Sequence, residues 1–337
     1  MDKSMLHASF NQDSTCFACG EENGFVVYNC DPPTKRFSRL SNDTTEANGI
    51  GIIEMLFRSN IFAIVGGGKN PKYPRNTLMI WDDFQSKCIA ELEFRTAVTG
   101  VRLRRDLILV TIIDRAYLYR FCDLKLIKSY DTYSNSTGIS AITNCEEAII
   151  AVPGNALGTV IIDQHSKVKQ HIIRAHTNNL AAITLNSVGT QLVTASDRGT
   201  LIRIWNVDTG DQLQELRRGL EVVTITSLSF DKDTTRLVVC SDKGTAHIFS
   251  LIIGTDLNRK SSLSYISSYL PTYFSSKWSS VSFEVPLGSI CSFSNNSIDT
   301  VYVLTPDGKF CKYVYDTEKT TGHCIETVDI RQMNLNS

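Results

Sequence analysis

Two adjacent arginines are the residues of this chain best suited to bind an anion. They lie in the segment Gln214-Glu-Leu-Arg-Arg-Gly219, which we expect to form the end of a β-strand. An arginine guanidinium is a rigid planar fork whose N–H groups match pairs of phosphate oxygens. Because neighbouring side chains in a strand point to opposite faces, Arg217 and Arg218 would enter two different clefts at an exposed strand edge. The alternative is a pair of solvated surface charges.

The residue types that commonly carry catalysis or metal binding form no recognisable pattern. Cys16-Phe-Ala-Cys19 has the spacing of a metal or redox pair, but no second such pair or nearby histidine pair accompanies it. In a strand these two positions point to opposite faces, so we interpret both cysteines as packing residues. Gly66-Gly-Gly-Lys69 lacks the spacing of a nucleotide-binding phosphate loop. We therefore predict no enzyme activity, no metal site and no cofactor.

The overall composition limits the class of partner. The chain has 34 Lys and Arg against 35 Asp and Glu, a formal net charge of -1 and a pI near 6.6. Such a chain does not bind nucleic acid or anionic lipid through bulk attraction, so an anion site must be local. No apolar signal segment opens the sequence, and Leu107–Ile113 is far too short to span a bilayer. We expect a cytosolic protein with reduced cysteines and a peripheral role at any membrane.

A repeat organises most of the chain. Trp81, Tyr119, Ile162, Trp205 and Phe249 occupy equivalent positions in short strands and follow one another 38 to 44 residues apart. Several strands per unit at this period are the signature of β-propeller blades. We predict an all-β, seven-bladed, WD-repeat-like β-propeller as a single domain over residues 1–330, with a short tail at 331–337. The blades are expected near residues 6–40, 50–94, 96–131, 137–173, 179–216, 222–253 and 283–328.

Two segments interrupt the repeat. Asp31–Asn48 is polar, and we interpret it as an ordinary loop. The segment at about 255–286 is far longer than the roughly 2–5 residues that usually connect antiparallel strands. It is rich in aromatic residues and has no acidic residue between Asp256 and Glu284. Loops of this length are commonly either functional or disordered.

The segment around the arginine pair resembles that of the PROPPIN or WIPI family, seven-bladed propellers that bind phosphatidylinositol 3-phosphate and phosphatidylinositol 3,5-bisphosphate. Leu216-Arg-Arg-Gly219 is similar to the family motif [FL]RRG and looks closest to the branch with leucine first. The resemblance extends along nearly the whole chain. Other family-like segments are Phe10-Asn-Gln-Asp13, Cys16-Phe-Ala-Cys-Gly20, Val65-Gly-Gly-Gly-Lys-Asn-Pro-Lys-Tyr-Pro74, Met79-Ile-Trp-Asp-Asp83, Leu103-Arg-Arg-Asp106, Gly199-Thr-Leu-Ile-Arg-Ile204, Ser241-Asp-Lys-Gly-Thr-Ala-His-Ile-Phe249 and Tyr273-Phe-Ser-Ser-Lys-Trp278.

The resemblance implies two pockets for phosphorylated inositol headgroups, one on each side of the arginine pair. The first pocket maps onto His176, Thr194, Ser196, Thr200, Arg203 and Arg217. The second pocket maps onto Arg218, Ser241, Lys243, Thr245 and His247. Hydroxyl, imidazole and guanidinium groups suit phosphate oxygens, which accept several hydrogen bonds. For each hydroxyl, the capping of a turn is the alternative.

One departure from the family pattern follows the motif directly. The run Leu220-Glu-Val-Val223 stands where many relatives have a polar stretch with another basic residue. A carboxylate at Glu221 would repel a phosphate. We therefore expect the second pocket to be weaker or more selective than the first.

The family also has a membrane-inserting loop, which corresponds to the long segment at about 255–286. The resemblance implies that its apolar side chains lie at the membrane interface. The residues we expect to insert are Ile266, Tyr269, Leu270, Tyr273 and Phe274. The alternative is that the segment folds back onto the propeller.

The resemblance implies a scaffold role in autophagosome formation, with phosphoinositide-containing membranes and autophagy factors as partners. Asn11 and Asp13 match family positions implicated in docking a lipid-transfer protein, although Asp13 also suits a turn. We expect a monomer without a nucleic-acid partner, located in the cytoplasm and peripherally on preautophagosomal, endosomal, lysosomal or vacuolar membranes. The alternative function is a WD-repeat-like scaffold that binds only proteins and needs neither the arginine pair nor the aromatic loop.

Overall fold

The structure is a computed structural model that describes residues 5–41, 43, 46–252 and 277–333. These residues form short strands joined by tight turns, and their only helices are the 3-10 turns His165–Lys167 and Ile330–Gln332. Inner strands are buried on both faces, as in Leu107–Ile112, because each blade packs between two neighbours. Outer strands alternate between exposed and half-buried residues, as in Lys87–Glu93.

Seven sheets follow one another along the described chain, as the repeat predicts, and their strands are antiparallel except for one short strand of the fifth sheet. The first contains β1 (Met5–Phe10), β2 (Cys16–Glu21), β3 (Gly24–Cys30) and β4 (Pro33–Leu40). The second contains β5 (Ile50–Met55), β6 (Ile61–Gly66), β7 (Thr77–Asp82) and β8 (Lys87–Glu93). The third contains β9 (Val98–Leu103), β10 (Leu107–Ile112), β11 (Arg115–Arg120) and β12 (Leu126–Asp131). The fourth contains β13 (Ala141–Ile142), β14 (Ile149–Pro153), β15 (Thr159–Gln164) and β16 (Lys169–Arg174).

The last three sheets surround the arginine pair and the long insertion. The fifth contains β17 (Leu180–Leu185), β18 (Gln191–Ser196), β19 (Leu201–Asn206) and β20 (Gln212–Arg217), with β24 (Lys277–Trp278) added in parallel to β20. The sixth contains β21 (Ile225–Phe230), β22 (Arg236–Ser241), β23 (Thr245–Ser250) and β25 (Val281–Glu284). The seventh contains β26 (Ile290–Phe293), β27 (Thr300–Leu304), β28 (Lys309–Asp316) and β29 (Thr321–Asp329).

The chain divides into two compact units. The first comprises Met1–Asn144, Pro306–Phe310 and Val328–Ser337, and the second comprises Cys145–Thr305 and Cys311–Thr327. In the first unit, the fully buried ring of Phe17 stacks on Tyr28 and Phe310, with ring centroids 4.9 and 5.2 Å away. Both flanking rings add apolar burial and favourable stacking to this core.

The core of the second unit holds the arginine motif in place. Leu216, the residue before the arginine pair, is fully buried among apolar side chains of the fifth and sixth sheets, including Ile204, Val239 and Phe249. Burying a leucine side chain contributes about 1.5–3 kcal/mol, so this contact fixes the end of β20 firmly. The positions of the next residues follow from this anchor.

Two sequence-based assignments are wrong at strand level. The polar segment Asp31–Asn48 is not simply a loop, because it contains β4, the outermost strand of the first sheet. An outermost strand needs few apolar residues: in β4, the ring of Phe37 packs against the core, 5.7 Å from the ring of Phe62.

The second error concerns the long insertion and the last two blades. We predicted a loop up to about residue 286 and a seventh blade from 283, whereas β25 at Val281–Glu284 pairs with β23 and completes the sixth sheet. The seventh sheet begins at Ile290. The insertion therefore lies inside the sixth blade, between its third and fourth strands. The sequence repeat did not reveal this strand, because β25 has only four residues and follows a long interruption of the repeat.

Candidate functional site

The two arginines lie at the end of β20 and are buried, not exposed. The structure places Arg217 as the last residue of β20 and Arg218 directly after it, with 5% and 7% of their surfaces exposed. The expected exposed edge is absent because β24 runs alongside, pairing Lys277 with Leu216 and Trp278 with Arg217. A guanidinium in such a position loses most of its hydration and needs compensating acceptors or anions.

The guanidinium of Arg218 is held by backbone carbonyls. Nε donates to the carbonyl of Gly199 at 2.9 Å, and Nη2 donates to the carbonyl of Glu221 at 2.5 Å. Burial lowers the pKa of Arg218, and the nearby carboxylates of Glu221 and Asp242 partly oppose that shift. Because the ordinary pKa of arginine exceeds 12, the group stays charged. Two neutral carbonyls orient this cation without neutralising it.

Hydroxyl and imidazole groups of the sixth sheet belong to the same unit as Arg218. Ser241 Oγ and Thr245 Oγ1 share a hydrogen bond of 2.9 Å across a turn that Gly244 closes with a φ of +77°. Lys243 is exposed at the tip of this turn. His247 is bonded through Nδ1 to Ser279 Oγ at 3.1 Å. Of the predicted second pocket, all members except Lys243 are at least half-buried.

The imidazole of His247 is electrically neutral near pH 7. Burial, followed by the positive charge of Arg218, lowers its pKa to about 4. A neutral imidazole offers one N–H donor and one acceptor nitrogen. The charge at this position therefore comes from Arg218, while His247 and the hydroxyls supply directed hydrogen bonds.

In the first predicted pocket, Thr194 belongs to an internal network. Its Oγ1 shares a hydrogen bond of 2.9 Å with His176 Nε2 and accepts one of 2.9 Å from Trp205 Nε1. Thr194 is fully buried, and its contact with a phosphate stays a prediction. Its role is to hold His176 and Trp205. Burial and the charge of Arg203 lower the pKa of His176 to about 4, so this imidazole is also neutral near pH 7.

Arg203 is paired within the fifth sheet. Its Nε contacts Glu215 Oε2 at 3.0 Å, and its Nη1 donates to the carbonyl of Ala175 at 2.6 Å. Arg203 and Glu215 are direct cross-strand partners on β19 and β20. This pair supports the segment that carries His176. Glu215 was not among the predicted site residues, although the pairing of these two strands places it opposite Arg203.

Ser196 and Thr200 bracket the turn between β18 and β19. Ser196 is buried, Thr200 is half-buried, and Gly199 donates its N–H to the Ser196 carbonyl at 2.9 Å. Gly199 has a φ of +60°, and a Cβ there would lie 2.1 Å from the carbonyl oxygen of Val223. This close approach presents the Gly199 carbonyl to Arg218. The turn thus connects the two predicted groups of residues.

The predicted partner-docking residues Asn11 and Asp13 form the turn between β1 and β2. Asn11 is 4% exposed; its Oδ1 accepts from the Cys16 N–H at 3.0 Å, and its Nδ2 donates to the Phe57 carbonyl at 3.3 Å. Asp13 Oδ1 accepts from the Thr15 N–H at 3.1 Å. Both side chains therefore serve the turn. Docking at Asp13 stays a prediction, and Asn11 has little surface for a partner.

The predicted membrane-inserting residues and the two cysteines of β2 differ in what the structure shows of them. Ile266, Tyr269, Leu270, Tyr273 and Phe274 lie outside the described residues. Cys16 and Cys19 are buried in β2, and the described part of the chain contains no cluster of three His, Cys, Asp or Glu side chains fit to hold a metal ion. Nor does it contain a helix long and apolar enough to cross a membrane.

A sequence profile of the PROPPIN family matches residues 4–285. The chain belongs to the PROPPIN family. It is 36% identical to SVP1-like protein 2 of Pichia angusta over 84% of this chain and 81% of that protein. It is 35% identical to Autophagy-related protein 18e of Arabidopsis thaliana, over 93% and 84% of the two chains. With Autophagy-related protein 18 of Yarrowia lipolytica the identity is 32%, over 96% and 95%.

Solved structures confirm the predicted fold of this PROPPIN, a seven-bladed β-propeller. Kluyveromyces lactis Hsv2 matches with a TM-score of 0.76 at 24% identity, covering 97% of this chain and 99% of that one. KlAtg21, solved in complex with the coiled-coil of AgAtg16, matches with a TM-score of 0.80 at 22% identity and the same coverage. At these identities the similarities show the fold alone.

Proposed function

We propose that this PROPPIN binds phosphatidylinositol 3-phosphate and phosphatidylinositol 3,5-bisphosphate on membranes, through two pockets that flank Leu216-Arg-Arg-Gly219. We further propose that it catalyses no reaction and serves as a scaffold in autophagosome formation. The observation that carries the proposal is the burial of two consecutive guanidinium groups beside hydroxyls and neutral imidazoles. In a chain of net charge -1, such a local concentration of donors favours a bound anion.

The second pocket gives the clearest physical reason for an anionic ligand. Arg218 is charged and buried, and its hydrogen bonds to described residues go to carbonyl oxygens. A phosphate would add the negative charge that these carbonyls lack, and charge-assisted hydrogen bonds are the strongest class. Ser241, Thr245 and His247 could add neutral hydrogen bonds to the same headgroup. Glu221 remains a source of repulsion, so we keep the expectation that this pocket is the weaker one.

Membrane attachment would combine the two pockets with the apolar insertion inside the sixth blade. β24 directly follows the undescribed part of that insertion and lies against Arg217, so the insertion ends beside the arginine pair. Contacts made together on one rim act multivalently and can raise avidity by about 10²–10⁴ over a single site. We therefore retain Ile266, Tyr269, Leu270, Tyr273 and Phe274 as proposed membrane-inserting residues.

The names of the relatives support a role in autophagy. Two curated relatives are autophagy-related proteins, and KlAtg21 forms a complex with a coiled-coil of another autophagy protein. We infer that the chain acts as one propeller domain and as a monomer, in the cytoplasm and on preautophagosomal, endosomal, lysosomal or vacuolar membranes. Autophagy factors would be its protein partners, with a lipid-transfer protein docking near Asp13.

Vesicle flotation tests the lipid-binding proposal. The wild type should float with vesicles that contain phosphatidylinositol 3-phosphate. It should not float with vesicles that contain phosphatidylinositol instead. Replacing Arg217 and Arg218 together by Thr should abolish flotation, because each pocket loses its buried arginine. The matched control replaces Arg104 and Arg105, a second Arg-Arg pair, by Thr and removes the same charge.

Two results would contradict the proposal. One is unchanged flotation of the Arg217→Thr, Arg218→Thr variant at physiological salt. The other is an equal loss in the Arg104→Thr, Arg105→Thr control, which would assign binding to net charge. Because Arg217 and Arg218 are buried, circular dichroism and a thermal unfolding curve must accompany the test.

A further inference from the structure

Three exposed apolar side chains lie on the loops that border the second pocket. Leu220, Val222 and Leu287 expose 65%, 64% and 70% of their surfaces. Leu220 and Val222 belong to the run that departs from the family pattern after the arginine motif. Leu287 belongs to the link between β25 and β26. Single exposed apolar residues are common, but three around one charged site suggest a function.

Hydrogen bonds fix these residues around one turn, the segment Ser241–Thr245 of the second pocket. Arg218 holds the loop with Leu220 and Val222 through the Glu221 carbonyl, and the same loop pairs with the turn through the Thr224 and Asp242 backbones at 2.9 Å. On the other side, Leu287 lies over Gly244: a Cβ at Gly244 would be 3.2 Å from Leu287 Cδ2.

The link that carries Leu287 is equally constrained. The Val285 N–H donates to the Gly244 carbonyl at 3.0 Å, and Thr226 Oγ1 donates to the Ser289 carbonyl at 2.6 Å. The exposure of Leu287 is therefore imposed by a well-bonded loop. Removing such an exposed apolar side chain from water, by contact with another phase or molecule, lowers the free energy.

We propose that Leu220, Val222 and Leu287 form an apolar rim that enters the membrane interface when Arg218 and its neighbours bind a headgroup. This inference rests on the proposed function. The occupant is a lipid surface because the rim is continuous with a cationic pocket and includes the exposed Lys243. Apolar side chains beside a lysine are the pattern of segments that lie at the headgroup and acyl boundary.

The rim would also explain why Glu221 is tolerated beside a phosphate site. Leu220 and Val222 flank Glu221 in sequence, so its repulsion of the headgroup is accompanied by two apolar contacts with the bilayer. The second pocket would then bind a headgroup in a membrane better than the same headgroup free in water. A rim would raise affinity for the membrane-bound headgroup only, whereas a tighter pocket would raise affinity for both the membrane-bound and the free headgroup.

A triple variant separates the rim from the pocket. Leu220→Ser, Val222→Ser, Leu287→Ser should lower affinity for vesicles containing phosphatidylinositol 3-phosphate by about tenfold, through lost apolar burial. Affinity for soluble inositol 1,3-bisphosphate should not change. The matched control, Val168→Ser, Val188→Ser, Ile298→Ser, alters exposed apolar residues on turns at the opposite ends of strands in the same unit and should bind like wild type.

The outcomes distinguish this inference from the proposed function. Wild-type protein that fails to bind the vesicles contradicts the proposed function. If wild type binds and the rim variant binds equally tightly, the function stands and the rim is wrong; its apolar residues would then suit a protein partner. Parallel loss of soluble headgroup binding, with normal thermal unfolding, would also overturn the rim, because the residues would belong to the pocket. As a second readout, Leu287→Trp should show a blue-shifted fluorescence difference from wild type on adding vesicles; no shift contradicts insertion.

Discussion

At the scale of single residues, burial decides the charge state of the site. Arg218 keeps its charge although burial lowers its pKa, because the ordinary pKa of arginine is so high, whereas burial lowers the pKa of His176 and His247 to about 4. The site therefore combines permanent cations with neutral imidazoles. An anion bound there would meet the same set of donors throughout the near-neutral pH range.

The lowered histidine pKa values predict a pH dependence of stability. The unfolded chain takes up protons below about pH 6.5, while the folded chain does not until about pH 4, so stability falls as pH decreases through this window. At about pH 5, each buried histidine should cost on the order of 1–2 kcal/mol relative to neutral pH. Urea unfolding of wild type and His247→Asn at both pH values measures the effect.

The variant should lose part of the pH dependence. His323, exposed on β29, provides the matched control through His323→Asn, which should unfold with the wild-type pH dependence. Equal pH dependence in His247→Asn and wild type would contradict the assignment of a neutral buried imidazole at this position.

At the scale of elements, hydrogen bonds across three neighbouring strands, β18, β19 and β20, support the predicted first pocket. Thr194 on β18 joins His176 to Trp205 on β19, and Arg203 joins Glu215 on β20 to the Ala175 carbonyl. These contacts rigidify the strand ends from which the pocket is built. Their loss should lower the free energy of unfolding more than it lowers affinity for a headgroup.

Replacing Thr194 by Val tests that arrangement. Valine has nearly the same shape but leaves the Trp205 N–H and the His176 nitrogen without their partner, so unfolding free energy should fall by about 1–3 kcal/mol. Thr184, half-buried on β17, gives the control, and Thr184→Val should change stability by less than about 0.5 kcal/mol. Thermal or urea unfolding measures both. A Thr194→Val protein as stable as wild type would contradict a structural network.

The strand elements were predictable where packing is repetitive. Trp205 and Phe249 mark equivalent strands because five of the blades place a large apolar residue at that position, so the repeat predicted the fold. β4 and β25 were missed because an outermost strand is defined by its hydrogen bonds to a neighbour and needs little apolar pattern. β24 was also missed, since a two-residue parallel pairing has no sequence periodicity.

The structure places the predicted site residues on the fifth and sixth sheets and the turns beside them, and their function as a binding site stays a prediction. Sequence could not show that Thr194 lies inside a blade or that Arg203 faces Glu215. Those facts depend on strand register and on which atoms remain exposed after packing. Exposure also revealed Leu220, Val222 and Leu287, which as sequence were only a departure from a family pattern.

At the scale of the whole molecule, we propose that one propeller carries two separate pockets for phosphorylated inositol headgroups. Isothermal titration calorimetry with soluble inositol 1,3-bisphosphate tests this proposal, because it measures how many headgroups each protein binds. We expect two equivalents bound by wild type and by the control Arg105→Ala, and one each by Arg217→Ala and Arg218→Ala, with the larger loss of affinity in Arg217→Ala. A wild-type stoichiometry of one, or two equivalents retained by either arginine variant, would contradict the two-pocket account.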